Sequence, residues 1–214
     1  MPQAQGITVQ GGPVSHLTVR YPAALTKVIA ELDWSVVDKL VADLVTLRAT
    51  GGRLFILGLG GSAGNASHMV NDLRKLAGLE AYAPTDNVSE LTARINDDGW
   101  GNAFTGWLSV SHLSAEDAIF VLSVGGGDLN HGVSPELVYA IDYAKSVGAK
   151  VLGIVGRNGG HTYEFGDTVA LIPSVDDGLT TPLAEAFQAI LWHGMVSHPN
   201  LAVASAHWES LSPK

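Results

Sequence analysis

Residues 53–73, RLFILGLGGSAGNASHMVNDL, constrain the fold of this chain more than any other stretch. Leu54 to Leu57 form a short apolar run with no polar residue, which suits a strand buried on both faces. The run breaks into Gly58-Leu59-Gly60-Gly61-Ser62, where side chains nearly vanish and backbone N–H groups can come close to a ligand. The spacing then predicts a helix from about 64 to 77, with Ser62 or Asn65 as its N-cap. A strand that turns through glycines into a helix N-terminus presents N–H groups and a positive dipole end to an anion or polar ligand. Farther along the same helix His68 and Asp72 are four apart and project from one face.

The rest of the chain is read around that segment. Residues 1–15 are polar and rich in Gly and Gln, and are expected to form a flexible arm; residues 16–214 are expected to form one domain. From Leu17 to Ala49 the spacing is helical in two stripes, with a restart at Asp33-Trp34-Ser35. These helices bury little alone, so they should pack on the sheet or on a second subunit.

After Gly51-Gly52, strands and helices alternate. Short strands are predicted at 80–83, 118–124, 150–155 and 169–172. Helices are predicted from near Ser89, over 103–108, over 135–147 and over 180–198. Asn96-Asp97-Asp98-Gly99 reads as a polar turn. The run AIFVLSV ends, like the first, in glycines: Gly125-Gly126-Gly127-Asp128. Apolar strands alternating with helices point to α/β architecture, a doubly wound parallel sheet with helices on both faces. Ligands in such folds gather at the carboxyl ends of strands, where both glycine loops fall. GLGGSA lacks the third glycine and the acidic partner of a dinucleotide fingerprint.

Composition narrows the function classes. Hydrophobic residues make up 46% and charged residues only 15%, which implies that surface is hidden by self-association as well as by folding. The net charge of −9 opposes nucleic acid or an anionic membrane surface as partner. With no cysteines there are no disulfides, no thiolate metal sites and no catalytic thiol. No apolar run reaches the ~18 residues of a membrane span, and the first residues lack the basic head and apolar core of a secretion signal, so a cytoplasmic protein is expected.

Taken in order, the Gly58–Ser62 loop, His68, Asp72, Asn96-Asp97, the loop Ser123 to Asn130, Gly156-Arg157-Asn158-Gly159-Gly160, and a last helix with Glu185 and His193 resemble the sugar isomerase (SIS) domain family. The nearest branch is the phosphoheptose isomerases, which interconvert sedoheptulose 7-phosphate and the aldoheptose 7-phosphate. The resemblance implies a divalent metal, zinc for choice, held by His68, Asp72, Glu185 and His193. It implies Asp72, His193 and Glu185 as acid/base groups. It implies substrate contacts from Gly60, Gly61, Ser62, Asn96, Asp97, Ser123, Gly125 and Asp128, and a homotetramer with sites at subunit interfaces.

This sequence departs from the branch at Leu59 for Asn, Asp72 for Glu, Glu185 for Gln, and Ser123-Val124-Gly125-Gly126-Gly127-Asp128 for S-T-S-G-N-S. Asp128 would set a carboxylate against a phosphate dianion, with Arg94 or Arg157 as compensating cations. On one straight helix Glu185 and His193 stand about 12 Å apart, at ~1.5 Å rise per residue, too far for one metal to bind both from one copy. Either the helix begins after Glu185, or neighbouring subunits supply different ligands.

Blander readings stay open. His68 and Asp72 could be a surface pair, His193 a core residue, Glu185 a first-turn acid, Asn96-Asp97 a turn and Ser123 part of a tight connection. Two other functions are compatible with these residues. One is a non-catalytic SIS module that binds a sugar derivative or a protein. The other is an isomerase of an unphosphorylated or nucleotide-linked sugar.

Overall fold

A computed structural model describes residues 17–205; the 1–15 arm lies outside them. Two helices, α1 (Leu17–Glu31) and α2 (Ser35–Thr50), come first, and the break falls where Asp33 accepts hydrogen bonds from the backbone and hydroxyl of Ser35. Then follow β1 (Leu54–Gly58), α3 (Gly61–Leu76), β2 (Ala81–Tyr82), α4 (Val88–Asp98) and α5 (Ala103–Val110). The chain continues through β3 (Ala118–Ser123), α6 (Pro135–Ser146), β4 (Lys150–Val155), α7 (Gly160–Phe165), β5 (Thr168–Leu171) and α8 (Thr180–Val196).

All strand pairs are parallel, in the order β2-β1-β3-β4-β5. The apolar runs alternate their faces, as strand geometry requires. Leu54, Ile56, Phe120, Leu122 and Ile154 pack with Val28 of α1, Leu44 of α2, Met69 of α3 and Phe187 of α8. Phe55, Leu57, Ile119, Val121 and Val151 pack on the other side with Phe104 of α5 and Ile141 of α6. The sheet is therefore doubly wound, as the alternation of elements predicts, and the leading helices cover one of its faces.

From β1 the chain passes to β2 on one side and then returns to β3 on the other. The order therefore reverses between β1 and β3, and a ligand crevice belongs at their carboxyl ends. Register sets Gly58 of β1 beside Leu122 of β3, so the two glycine loops leave the sheet side by side.

Several local expectations change. Helix α3 begins at Gly61, with Gly60 (φ 58°) as a cap that makes no side-chain bond. Ser62 is buried in the first turn and Asn65 lies within the helix, its side chain committed to α8. Asn96-Asp97-Asp98 is no turn but the last turn of α4, which Gly99 (φ 78°) ends. Helix α7, only six residues long, has no counterpart in the elements predicted from the spacing. Finally, α8 is continuous from Thr180, so Glu185 and His193 do share one helix, which removes the first of the two escapes above.

Candidate functional site

The crevice at the switch point is a cleft of about 380 Å³. The first loop contributes Leu59 and Ser62, and the second contributes Ser123, Val124 and Gly125. Ser134, at the start of α6, and Thr181, at the start of α8, add hydroxyls, and Arg157 after β4 adds a guanidinium. Of the two arginines considered as compensating cations, Arg157 is in the cleft. Arg94 is on α4, bonded to Glu90.

The second loop's glycines serve backbone packing more than ligand approach. Gly126 (φ 73°) and Gly127 (φ 87°) adopt left-handed backbone, and a Cβ on Gly126 would collide with the Gly159 carbonyl. The amides of His161 and Thr162 donate to the carbonyls of Gly127 and Gly126 at 2.9 and 3.0 Å, locking the loops after β3 and β4 together. Ser123 Oγ accepts from Gly126 N–H at 2.9 Å, so part of that loop's donor set is spent within the turn.

Asp128 is not among the residues lining this cleft. It closes a small hairpin with Val133 through two backbone bonds of 2.8 Å, and its carboxylate accepts from the amides of Asn130 and His131. The His131 Nδ1 contact at 2.6 Å is the largest cause holding the Asp128 carboxyl below its ordinary value. The expected repulsion of a phosphate by Asp128 is therefore not built into this geometry.

Helices α3 and α8 run side by side in the same direction. Gly61 meets Glu185, Asn65 meets Gln188, and His68 meets Trp192 and His193. Ligand atoms of His68, Asp72 and His193 all lie within 4.8 Å of one another, on one turn of each helix. His193 Nδ1 is 2.8 Å from the Ala189 carbonyl; a carbonyl only accepts, so Nδ1 carries the proton and Nε2 keeps its lone pair. Two imidazoles and one carboxylate at this separation fit a divalent ion such as zinc with a coordination position left open. His193 is exposed rather than a core residue.

Glu185 is not in that group. Its carboxylate lies against the bare Cα of Gly61, where a Cβ would stand 2.5 Å from Glu185 Oε2. A side chain at Gly61 would have to displace the Glu185 carboxylate, whereas the space over Gly60 is open. Asn96 and Asp97 sit at the exposed end of α4, hydrogen-bonded to each other at 2.8 Å, and are not among the cleft residues.

Sequence reasoning missed the tie between the two helices. Asn65 Nδ2 donates to the Glu185 carbonyl and to Gln188 Oε1, both at 3.0 Å. It also missed Glu136, which is fully buried in the first turn of α6 with neither oxygen partnered among the described residues. Burial raises its carboxyl above the ordinary value. Nothing in the local sequence distinguishes Glu136 from the first-turn acids that normally face water.

No family profile matches the chain. It is 32% identical over 171 residues to a phosphoheptose isomerase of Burkholderia pseudomallei, covering 76% of this chain and 79% of that one. It is 29% identical over 176 residues to a probable phosphoheptose isomerase of Thermoplasma volcanium, covering 80% and 85%. Its fold is shared with a phosphoheptose isomerase structure from Neisseria gonorrhoeae, with a TM-score of 0.69 and 23% identity over 85% of this chain and 97% of the other. With 32% identity over about three quarters of its length, this chain belongs to the phosphoheptose isomerase family of SIS-domain proteins.

Proposed function

We propose that this protein interconverts the ketose and aldose forms of a sugar phosphate, with sedoheptulose 7-phosphate as substrate. The observation that carries the reading is the gathering of His68, Asp72 and His193 on α3 and α8, the two helices whose first turns open on the hydroxyl-lined cleft. The reaction removes a proton from the carbon next to the carbonyl, passes through an enediolate, and returns a proton to the neighbouring carbon; a second proton moves between the two oxygens. No electron acceptor is needed.

His68, Asp72 and His193 would hold a divalent metal, zinc by preference, and when bound it supplies polarisation of the substrate oxygens. Glu185, outside that trio and beside the first glycine loop, takes the carbon-bound proton. Asp72 then acts as ligand, and His193 both as ligand and as orienting group through its fixed tautomer. Gly60, Ser62, Ser123 and Gly125 border the bound sugar, with Asn96-Asp97 brought to it from a neighbouring copy.

That last role requires an assembly, and we read the protein as a cytoplasmic homotetramer. Helix α4 has no buried residue, and Leu17, Val19 and Ile29 of α1 are at least half exposed, so both present apolar surface for a second copy to cover. No helix among the described residues is long and apolar enough to cross a membrane.

Steady-state assay of ketose loss tests the chemistry. Glu185→Gln should lower kcat about 10²–10⁴-fold, the usual span for an acid/base group, and Asp72→Asn, which removes a ligand, should lower turnover in step with the bound metal measured by atomic emission. Parental turnover in both variants would sink the assignment. A folded, metal-free parent that binds phosphosugar without turnover would leave only a binding module.

A further inference from the structure

We infer that Arg157 is the specificity-determining residue of the cleft, the cation that binds the phosphate monoester end of the substrate. It depends on the sugar-phosphate reading only for the identity of the sugar. Three independent features of Arg157 converge on this assignment.

The first is charge. Arg157 is the one charged residue lining the cleft, among hydroxyls from Ser62, Ser123, Ser134 and Thr181. Ser123 Oγ already accepts from Gly126 N–H, which leaves its own hydrogen to donate outward. Hydroxyl donors around a single guanidinium match a phosphate dianion, which accepts hydrogen bonds and takes a planar fork well.

The second is the absence of any internal partner. Each of the other arginines is engaged: Arg20 with Asp176, Arg53 with Asp117, Arg94 with Glu90, Arg48 with the carbonyls of Ala77 and Leu201, and Arg74 with the Ala81 carbonyl. Arg157 alone makes no hydrogen bond or ion pair among the described residues. Its aliphatic stem runs past the Gly125 backbone, where a Cβ would stand at an ordinary contact distance of 4.0 Å from Arg157 Cδ.

The third is backbone conformation. Arg157 has φ 53°, the left-handed region that L-residues other than Asn and Asp avoid, in a loop whose own glycines are Gly156, Gly159 and Gly160. A glycine would be free of strain here. An arginine in that conformation, with no hydrogen bond or ion pair among the described residues to hold it, is an outlier of the kind found at ligand sites.

The test is calorimetric titration of the parent and of Arg157→Gly with inorganic phosphate, with sedoheptulose 7-phosphate and with unphosphorylated sedoheptulose. Expected is at least a tenfold loss of affinity for both phosphate ligands, no change for the bare sugar, and a Tm no lower than the parent's because strain is relieved. In turnover the same variant should raise KM for the sugar phosphate far more than it lowers kcat. Arg157→Asn tolerates the same backbone and serves if the glycine variant folds poorly; it should show the same loss. Phosphate affinity within twofold of the parent in either folded variant overturns the assignment. Because inorganic phosphate binding needs neither metal nor turnover, an inactive parent would sink the isomerase reading and leave this one standing. An active Arg157→Gly with unchanged KM would do the reverse.

Discussion

The two ends of the sheet both carry clefts, and the larger is not the one that reads as a site. At the amino end a cleft of about 710 Å³ is lined by Lys145, Lys150, Asp43, Asp117 and Asp167. Its lysines are matched: Lys150 pairs with Asp43, and Lys145 with Asp167 at 2.9 Å. Asp117 accepts from the Arg53 side chain and backbone and from Ser114. Burial pushes Asp117 up, but those hydrogen bonds outweigh it and hold the carboxyl below its ordinary value. The switch-point cleft at the carboxyl end has roughly half the volume and holds a guanidinium with no partner among the described residues. Neighbouring Glu136, fully buried, is equally unmatched. Matched charge at one end secures the strands' starts; the Arg157 guanidinium at the other is what a ligand can satisfy.

Substitutions at the two ends should therefore separate stability from binding. The largest effect is expected at Asp117, whose side chain is 3% exposed. Losing this carboxylate strands the donors it satisfies, at about 1–3 kcal/mol, and Arg53, 29% exposed, keeps part of its hydration, so Asp117→Ala should lower the urea midpoint sharply while folded molecules keep the parental phosphate affinity. Loss of phosphate affinity in folded Asp117→Ala would erase the contrast between the ends.

A smaller effect of opposite sign is expected at Glu136. Its folded pKa is raised, so its contribution to stability is fully present below the unfolded carboxylate value of about 4.3 and lost as pH rises through the folded value. Glu136→Gln should accordingly raise Tm at pH 7, and the gain should shrink as pH falls towards 4. A Tm difference independent of pH would mean that Glu136 finds a partner in solution. Smallest of all is Lys145→Ala. Its ion pair with Asp167 is 42% and 35% exposed, and such pairs contribute about 0–1 kcal/mol. A shift in the denaturation midpoint beyond that range would show the amino-end pairs to act as a coupled network.

Much of the molecule was legible because its signals are local. Apolar runs bounded by glycine mark β1, β3 and β4 within a residue or two, and helical spacing marks α2, α3, α6 and α8. His68 and Asp72 are neighbours by helix geometry alone. Other features depend on partners distant in the chain. Asp128 reads as a phosphate-facing carboxylate until Val133 folds back on it. Both glycine loops read as ligand-facing, yet Gly126 is packed by Gly159 and Gly61 by Glu185. Asn65, an N-cap by its residue type, turns out to tie α3 to α8.

From its residues alone, this chain's doubly wound sheet, its two glycine loops at strand ends and its imidazole–carboxylate pair were already determined. Period and turn chemistry operate over a few residues and need no distant partner. Three matters were decided only in three dimensions: that His193 joins His68 and Asp72, that Glu185 stands apart from them, and that Arg157 lies beside Gly125 in the cleft. Each depends on segments separated by more than 30 residues, set by how α8 and the loop after β4 dock on the sheet.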